Sequence, residues 1–348
     1  MHSRFGVVSW PVAERPMVVI WEATRACQLA CRHCRAKAQR RPLPHELNTA
    51  DARALIDQVT LLRPMVFVIT GGDPLERADL FLLMGHASGR GLPTHLAPSA
   101  TPLLTEYALR TAVEVGCQGV QLSLDGSTAA THDRFRGVVG TFNRTLAAAG
   151  WAAELRLPLS VATTVTVDNA DDLPAIADRV EAMGAGLWSV FFLVPTGRGR
   201  REQEVSPERA EAILGWLAED AGRRPFRVKT TEAPQIRRLI ADRPAPGASG
   251  IGDGRGFVFV AHDGEVWPSG FLPLPVGNVR ERALGDIYRD APLMRQLRDP
   301  EALTGPRCGT CAHRALCGGS RSRAYAHGGD PLGDDPLCAH VAAGEARR

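Results

Sequence analysis

The 348-residue chain is predicted to adopt an α/β fold around a mostly parallel sheet, and three observations predict it. Between residues 17 and 230, short β-rich runs alternate six times with longer segments of helical spacing, the pattern of strands joined by helical crossovers. Several of those runs are almost continuously apolar, as strands become when both faces of a sheet are covered. The polar, glycine-rich pieces WEATRAC, TGGDP, PSAT, SLDG, TTVT and PTGRG all sit at the ends of strand candidates, where functional groups collect in such sheets.

The strand candidates are MVVIWE (17–22), MVFVIT (65–70), LPTHLAP (92–98), GVQLSLD (119–125), LPLSVATTVT (157–166) and LWSVFFLVP (187–195). Apolar residues recur at helical spacing over 49–62, 77–90, 105–115, 141–155, 171–183 and 207–221. Asn48 or Thr49 opens the first of these helices and Ser206 the last, since their side chains accept hydrogen bonds from orphan N–H groups. Gly91, Gly116 and Gly184 precede strands as helix stops. After residue 230 the texture changes: ADRPAPGASGIGDGRG (241–256) reads as a linker, GFVFVAHDGEVWPSGF as a hairpin turning at Asp263-Gly264, and 284–297 as a short helix. The expected organisation is an N-terminal extension (1–16), a barrel-like domain (17–235), a linker or mobile loop (236–256) and a small C-terminal domain (257–348).

Composition narrows the function. The chain is 44% hydrophobic and 23% charged, and 41 Lys and Arg against 38 Asp and Glu leave a net charge of +3. That gives no footprint for nucleic acid or an anionic membrane. No apolar run reaches the ~18–20 residues of a membrane span, and the N-terminus lacks the signature of a signal peptide. The expected location is the cytoplasm, where clustered cysteines read as metal ligands or catalytic groups rather than disulfides. Of the eight cysteines, three lie at 27–34, four at 308–338, and Cys117 stands alone as a small buried thiol.

Cys27, Cys31 and Cys34 have the spacing C-x3-C-x2-C, which lets one curled loop present three thiolates to one centre. A structural zinc knot needs a fourth ligand, and His33 adjoins Cys34 too closely to be an easy one. A cubane iron–sulfur cluster with three protein ligands instead leaves one iron open to a substrate or cofactor. CQLACRHC resembles the cluster loop of the radical S-adenosylmethionine (radical SAM) enzymes. That resemblance implies a partial (β/α)6 TIM-like barrel and a [4Fe–4S] cluster whose open iron binds S-adenosylmethionine. In that family the cofactor is cleaved reductively to a 5′-deoxyadenosyl radical, which abstracts a substrate hydrogen. It further implies that Gly71, Gly72 and Asp73 of TGGDP meet the methionine end. Ser123 and Asp125 of SLDG would serve the ribose or methionine end, His33 would pack near adenine, and Ser99 and Thr163 are further candidates. Asp73 has an alternative reading as the cap of a short helix.

Cys308, Cys311, Cys317 and Cys338 form C-x2-C-x5-C with a fourth cysteine downstream, enough for a zinc site or a fully ligated [4Fe–4S] cluster. Together with the preceding hairpin and its GNV turn, they resemble the SPASM extension of radical SAM enzymes. Ser269 and Ser320 stand where that extension usually carries further cysteines, so the resemblance implies one auxiliary cluster and loss of the other. GRGRRE (197–202) offers Arg198, Arg200 or Arg201 to a carboxylate-bearing substrate, and VKTTEAP (228–234) has no assigned role. The expected function is a radical SAM oxidoreductase or lyase acting on a small molecule, tetrapyrrole-type favoured, with a one-electron donor such as flavodoxin or ferredoxin. A SPASM-type peptide maturase and a non-catalytic iron–sulfur electron-transfer protein are the alternatives.

Overall fold

The computed structural model describes residues 10–240 and 251–340. Among these, seven parallel strands neighbour one another in chain order: β1 (Val18–Glu22), β2 (Val66–Thr70), β3 (Thr94–Leu96), β4 (Gly119–Ser123), β5 (Leu159–Val165), β6 (Leu187–Phe192) and β7 (Arg227–Thr231). The crossovers carry helices α1 (Thr49–Leu62), α2 (Leu80–Gly89), α3 (Glu106–Glu114), α4 (Ala129–Arg136), α5 (Thr141–Glu154), α6 (Leu173–Ala182) and α7 (Pro207–Asp220). Then come α8 (Ile236–Leu239), the hairpin β8 (Phe257–Val260) and β9 (Glu265–Trp267), the short β10 (Gly277–Asn278), and α9 (Leu284–Asp290), α10 (Pro292–Gln296) and α11 (Arg321–Gly328).

The strand periodicity divides the molecule into two layers. Val19 and Trp21 of β1, Phe67 and Ile69 of β2, and Trp188 and Val190 of β6 are fully buried in the main core beneath the helices. Their alternate neighbours point the other way. Val18, Ile20, Val66, Val68, Gln121, Ser160 and Ser189 line a cavity of about 480 Å³ on the inner side of the sheet. Ser160 and Ser189 among these inward positions leave space where a closed barrel would be filled by packed side chains.

Local signals set most boundaries. Asn48 Oδ1 accepts from the N–H groups of Ala50 (2.9 Å) and Asp51 (3.0 Å), so α1 starts where the cap dictates. Gly91, Gly116 and Gly184 adopt positive φ as helix stops, and Gly264 does so in the hairpin turn. The helix expected over 284–297 divides into α9 and α10 at Pro292, which cannot continue a hydrogen-bonded helix interior.

Three features differ from the sequence reading. A seventh strand, β7, continues the parallel sheet beyond the six expected; its RVKTT sequence is too polar to announce a strand because one side faces the cavity. A helix not foreseen, α4, is stopped by Gly137 in the left-handed region. The hairpin expected to open a C-terminal domain is joined to the barrel sheet, with β8 parallel to β1 (Val19 opposite Val258). Of the linker expected over 236–256, residues 236–239 form α8 and 241–250 lie outside the described residues, as do residues 1–9 of the N-terminal extension.

Candidate functional site

The three-cysteine loop leaves the end of β1, and Glu22 anchors it there. This carboxylate is fully buried and meets Arg25 Nε (3.2 Å), Arg35 Nη1 (2.8 Å) and His262 Nδ1 (3.2 Å). Burial alone would push it up, but Arg35, His262 and Arg25 together hold it down at about 2. Its two arginines clamp both sides of the loop. The loop closes on itself through Cys27 N–H to Gln39 O (2.7 Å) and Gln39 N–H to Arg25 O (2.8 Å).

Inside this ring the thiols receive donors. Leu29 N–H points to Cys27 Sγ (3.3 Å), Ala38 N–H to Cys34 Sγ (3.5 Å) and Arg136 Nη1 to Cys31 Sγ (3.9 Å). Cys27 is pushed up to about 11, first by burial and further by Asp73 and Cys31, against the Leu29 N–H and the Ser99 hydroxyl. Cys31 is raised by burial and by Cys34, against Arg136. The three thiols thus share one electrostatic neighbourhood. Among the described residues no three His, Cys, Asp or Glu side chains close on a single ion. The donor set nonetheless suits an iron–sulfur cube, in which each thiolate binds a different iron and the metal charge keeps buried thiols deprotonated.

Gly71 and Gly72 follow β2, and what approaches them is the chain itself. A Cβ on Gly71 would lie 2.5 Å from Thr24 O, and one on Gly72 2.3 Å from Ala26 O. Their role in the fold is to let the β2 loop press against the base of the cysteine loop. Asp73 is also committed inside the protein. Its carboxylate accepts from Thr101 Oγ1 (2.6 Å), Leu75 N–H (3.2 Å) and Ser99 N–H (3.3 Å), and it caps the 3₁₀ turn Pro74–Glu76. Burial pushes it up to about 6 in spite of these donors. The helix-cap reading therefore describes Asp73 better than a free contact to a cofactor. Ser99 donates to Gly72 O (2.7 Å) and lies 3.7 Å from Cys27 Sγ, which joins the β3 end to both loops.

At the end of β4, Asp125 is buried, accepts from Thr164 N–H (2.7 Å) and forms an ion pair with Arg136. Arg136 thereby spans Asp125 and Cys31. It was missed in the sequence because α4 is short and polar. His33 packs at a tilt against Phe135 of α4 (4.4 Å between ring centres), and its Nδ1 is buried without a partner among the described residues. Orphaned polar atoms also include Arg136 Nε and Arg198 Nε and Nη2. Such groups beside the cysteine loop suit a polar visitor. Ser123 is half-buried at the same strand end. Thr163 does not join them: it is fully buried, donates to Leu124 O (2.6 Å) and accepts from Trp188 Nε1 (2.9 Å), which makes it a satisfied core hydroxyl.

The glycine-basic loop departs from expectation. Arg198 donates from its backbone N–H to Cys34 O (2.9 Å) and from Nη1 to Ala38 O (3.4 Å), Arg201 Nη2 donates to Ala326 O (3.1 Å) and His327 O (3.0 Å), and neither lines the cavity. Gly197 packs on the cysteine loop, where a Cβ would lie 2.3 Å from Arg35 O. The cavity cations come instead from elsewhere, with Lys229 from β7 and Arg255 before β8; neither has an ion-pair partner among the described residues. Burial and then Arg237 lower the Lys229 pKa.

The second cysteine group converges around Gly319 and Asp335. Gly319 N–H points to Cys317 Sγ (3.4 Å), and a Cβ there would lie 3.4 Å from Cys308 Sγ. Asp335 N–H points to Cys308 Sγ (3.5 Å), and Cys338 N–H bonds Asp335 O (3.2 Å). His313 N–H points to Cys311 Sγ (3.4 Å). Burial pushes Cys317 up to about 12, and Asp335 and Cys338 add to this. Ser269 and Ser320 lie in a hydroxyl–carboxyl network: Ser269 Oγ meets Ser322 Oγ (3.2 Å), which bonds Asp253 (2.9 Å) and Glu232 (3.3 Å), while Ser320 bonds Glu232. Cys117 is a buried thiol donating to Gly119 O (3.3 Å).

Comparison with known proteins decides the family. The radical SAM superfamily pattern matches residues 21–180, a span that includes the cysteine loop and the ends of β2 to β5. The AdoMet-dependent heme synthase of Nitratidesulfovibrio vulgaris is 37% identical, over 93% of this chain and 92% of that protein. The chain belongs to the radical SAM superfamily. Two further relatives are the pre-heme d1 synthase of Dinoroseobacter shibae (30% identical, 94% of this chain, 87% of that protein) and the mycofactocin maturase MftC of Mycobacterium ulcerans (32%, 93% and 88%). The structure of Streptococcus suis SuiB bound to S-adenosylmethionine superimposes with a TM-score of 0.72 at 15% identity, covering 94% of this chain and 78% of that one. This radical SAM protein is therefore an enzyme with the partial-barrel fold, and membership implies S-adenosylmethionine and a [4Fe–4S] cluster. Among the described residues, no helix is long and apolar enough to cross a membrane.

Proposed function

We propose that the protein is a radical SAM enzyme that modifies a carboxylate-bearing, tetrapyrrole-type substrate inside the sheet cavity. Cys27, Cys31 and Cys34 would hold the [4Fe–4S] cluster, and His33, Ser99, Ser123, Asp125 and the Gly71–Gly72 backbone would bound the space for S-adenosylmethionine. When bound, the pair supplies a carbon-centred radical for hydrogen abstraction. Asp73 and Arg136 act as positioning residues, since Asp73 ties the ends of β2 and β3 together and Arg136 links Asp125 to Cys31.

Cys308, Cys311, Cys317 and Cys338 would hold one auxiliary [4Fe–4S] cluster within a SPASM-like unit, 257–348, that follows a barrel unit, 17–235. The Ser269–Ser320–Ser322 network with Glu232 and Asp253 supports a single auxiliary centre, because hydrogen-bonded hydroxyls and carboxyls occupy the region where more cysteines would be required. The enzyme would work in the cytoplasm with a one-electron donor of flavodoxin or ferredoxin type.

One observation carries this reading. The cavity runs from Arg35, next to Cys34, to Cys317 and Gly319 of the second group, so a molecule within it would lie between the two cysteine sites. Lys229 and Arg255 on its wall, which form no ion pair among the described residues, offer basic groups to substrate carboxylates. Sequence likeness to the AdoMet-dependent heme synthase over nearly the whole chain supports the tetrapyrrole choice over the peptide choice.

The test is anaerobic turnover of the reconstituted protein with S-adenosylmethionine and dithionite. Iron coproporphyrin III, haem and a set of short peptides are offered separately. The expected result is a change of porphyrin mass accompanied by 5′-deoxyadenosine above the substrate-free background. Modification of a peptide, with none of either porphyrin, would move the protein to the maturase branch.

A further inference from the structure

The cysteine loop is basic to a degree that the whole chain is not. Residues 23–45 contain six arginines and lysines and no aspartate or glutamate, in a chain whose net charge is only +3. Two of the six, Arg25 and Arg35, turn inward to Glu22. Arg40 is exposed and bonds Gln28 O (2.9 Å), which holds it against the loop. Arg32, Lys37 and Arg41 are exposed and have no ion-pair partner among the described residues.

The same face includes part of α4 and the turn after it. Arg134 is exposed, Gly137 packs on Ala30 (a Cβ would lie 2.7 Å from Ala30 O), and Val139 is 85% exposed. Asp168 lines the cleft shared by Arg32 and Arg134, and Glu76 is engaged by Gln28 (3.0 Å), so the sum stays strongly positive. At this face Cys31 is buried between the exposed Ala30 and Arg32, and Cys34 is half-buried, so the cysteine site lies close to the surface here.

We propose that this face, from Arg32 through Lys37 to Arg41 with Arg134 and the apolar tip at Val139, docks an acidic one-electron donor protein. The inference rests on the radical SAM reading, which requires an electron to reach the Cys27/Cys31/Cys34 site from outside. Electron transfer weakens steeply with distance, so a donor works where cover is thinnest. A ring of uncompensated cations would steer an acidic partner to that point and orient it, while Ala30 and Val139 provide short-range apolar contact.

The experiment compares two reductants on the reconstituted full-length protein. One is purified flavodoxin kept reduced by its NADPH-dependent reductase, and the other is dithionite. Formation of 5′-deoxyadenosine is followed in the wild type, in the triple variant Arg32→Glu/Lys37→Glu/Arg41→Glu, and in the control Arg53→Glu/Arg223→Glu, whose exposed cations lie on other elements. The proposal expects the flavodoxin-driven rate of the triple variant to fall about tenfold or more, with the dithionite-driven rate and the control unchanged. It also expects the wild-type flavodoxin rate to drop steeply as salt rises from about 0.05 to 0.5 M. A salt-independent flavodoxin rate overturns it, as does an undiminished rate in the triple variant. Tight binding of heparin with no measurable flavodoxin binding by calorimetry would also overturn it and mark a polyanion surface instead. If neither reductant yields 5′-deoxyadenosine in the wild type, the radical SAM reading fails and not the docking surface alone.

Discussion

Glu22 is a buried carboxylate whose value comes from three cationic neighbours, and it makes the cysteine loop acid-sensitive. Its native pKa of about 2 lies below the ordinary 4.5, so its contribution is complete above about pH 4.5 and is lost as pH falls towards 2. That contribution is about 3 kcal/mol at neutral pH. Urea unfolding at several pH values should show wild-type stability falling across this window. Glu22→Gln should be less stable at pH 7 by about 3 kcal/mol and should lack most of that slope. Glycines give a second contrast. Gly72→Ala forces a Cβ to within 2.3 Å of Ala26 O and should cost about 3 kcal/mol or block iron incorporation. Gly150→Ala, in the interior of α5 with nothing within 4 Å, should stabilise by up to about 1 kcal/mol. The placement of the cysteine loop after β1 and of the glycine pair after β2 was legible in the sequence, because both follow apolar strand runs directly. The occupation of Asp73 by Thr101 and of Thr163 by Trp188 was not, because those partners come from neighbouring strands and loops, whose register a linear pattern does not contain.

At the scale of elements, α4 and α11 hold the two cysteine groups to the barrel. Arg136 on α4 is mostly buried between Asp125 and Cys31. Arg136→Met would leave Asp125 buried and unpaired, and a loss of about 3–5 kcal/mol is expected by urea denaturation. Arg323 on α11 is fully buried, bonds Leu193 O (2.9 Å) and Glu232 O (2.8 Å), and pairs with Glu204 (3.0 Å) and Asp335 (3.5 Å). Arg323→Met should release the C-terminal segment, seen as faster hydrogen exchange over 300–340 than over the barrel strands. The sequence announced the helices α1 and α7 through their caps and apolar stripes, and α5 through its apolar stripe. It did not announce α4, whose exposed face is polar, or β7, whose Lys229 faces the cavity. In both cases the residues nearest the site depart from the pattern that marks ordinary core elements.

Among the described residues one sheet runs from β10 to β7 beside a cavity whose lining includes Arg35 of the first cysteine loop and Cys317 of the second group. The two groups should be separable. Cys311→Ala/Cys317→Ala should lower reconstituted iron from about eight to about four per chain while S-adenosylmethionine cleavage with dithionite persists. The central claim concerns the other group, and its most direct measurement is 5′-deoxyadenosine formed from S-adenosylmethionine by the anaerobically reconstituted, dithionite-reduced protein, compared with Cys31→Ala. The account predicts 5′-deoxyadenosine from the wild type and none from Cys31→Ala, although that variant keeps the iron of its C-terminal site. Undiminished formation by Cys31→Ala, or none by a wild type carrying its full iron, would contradict it.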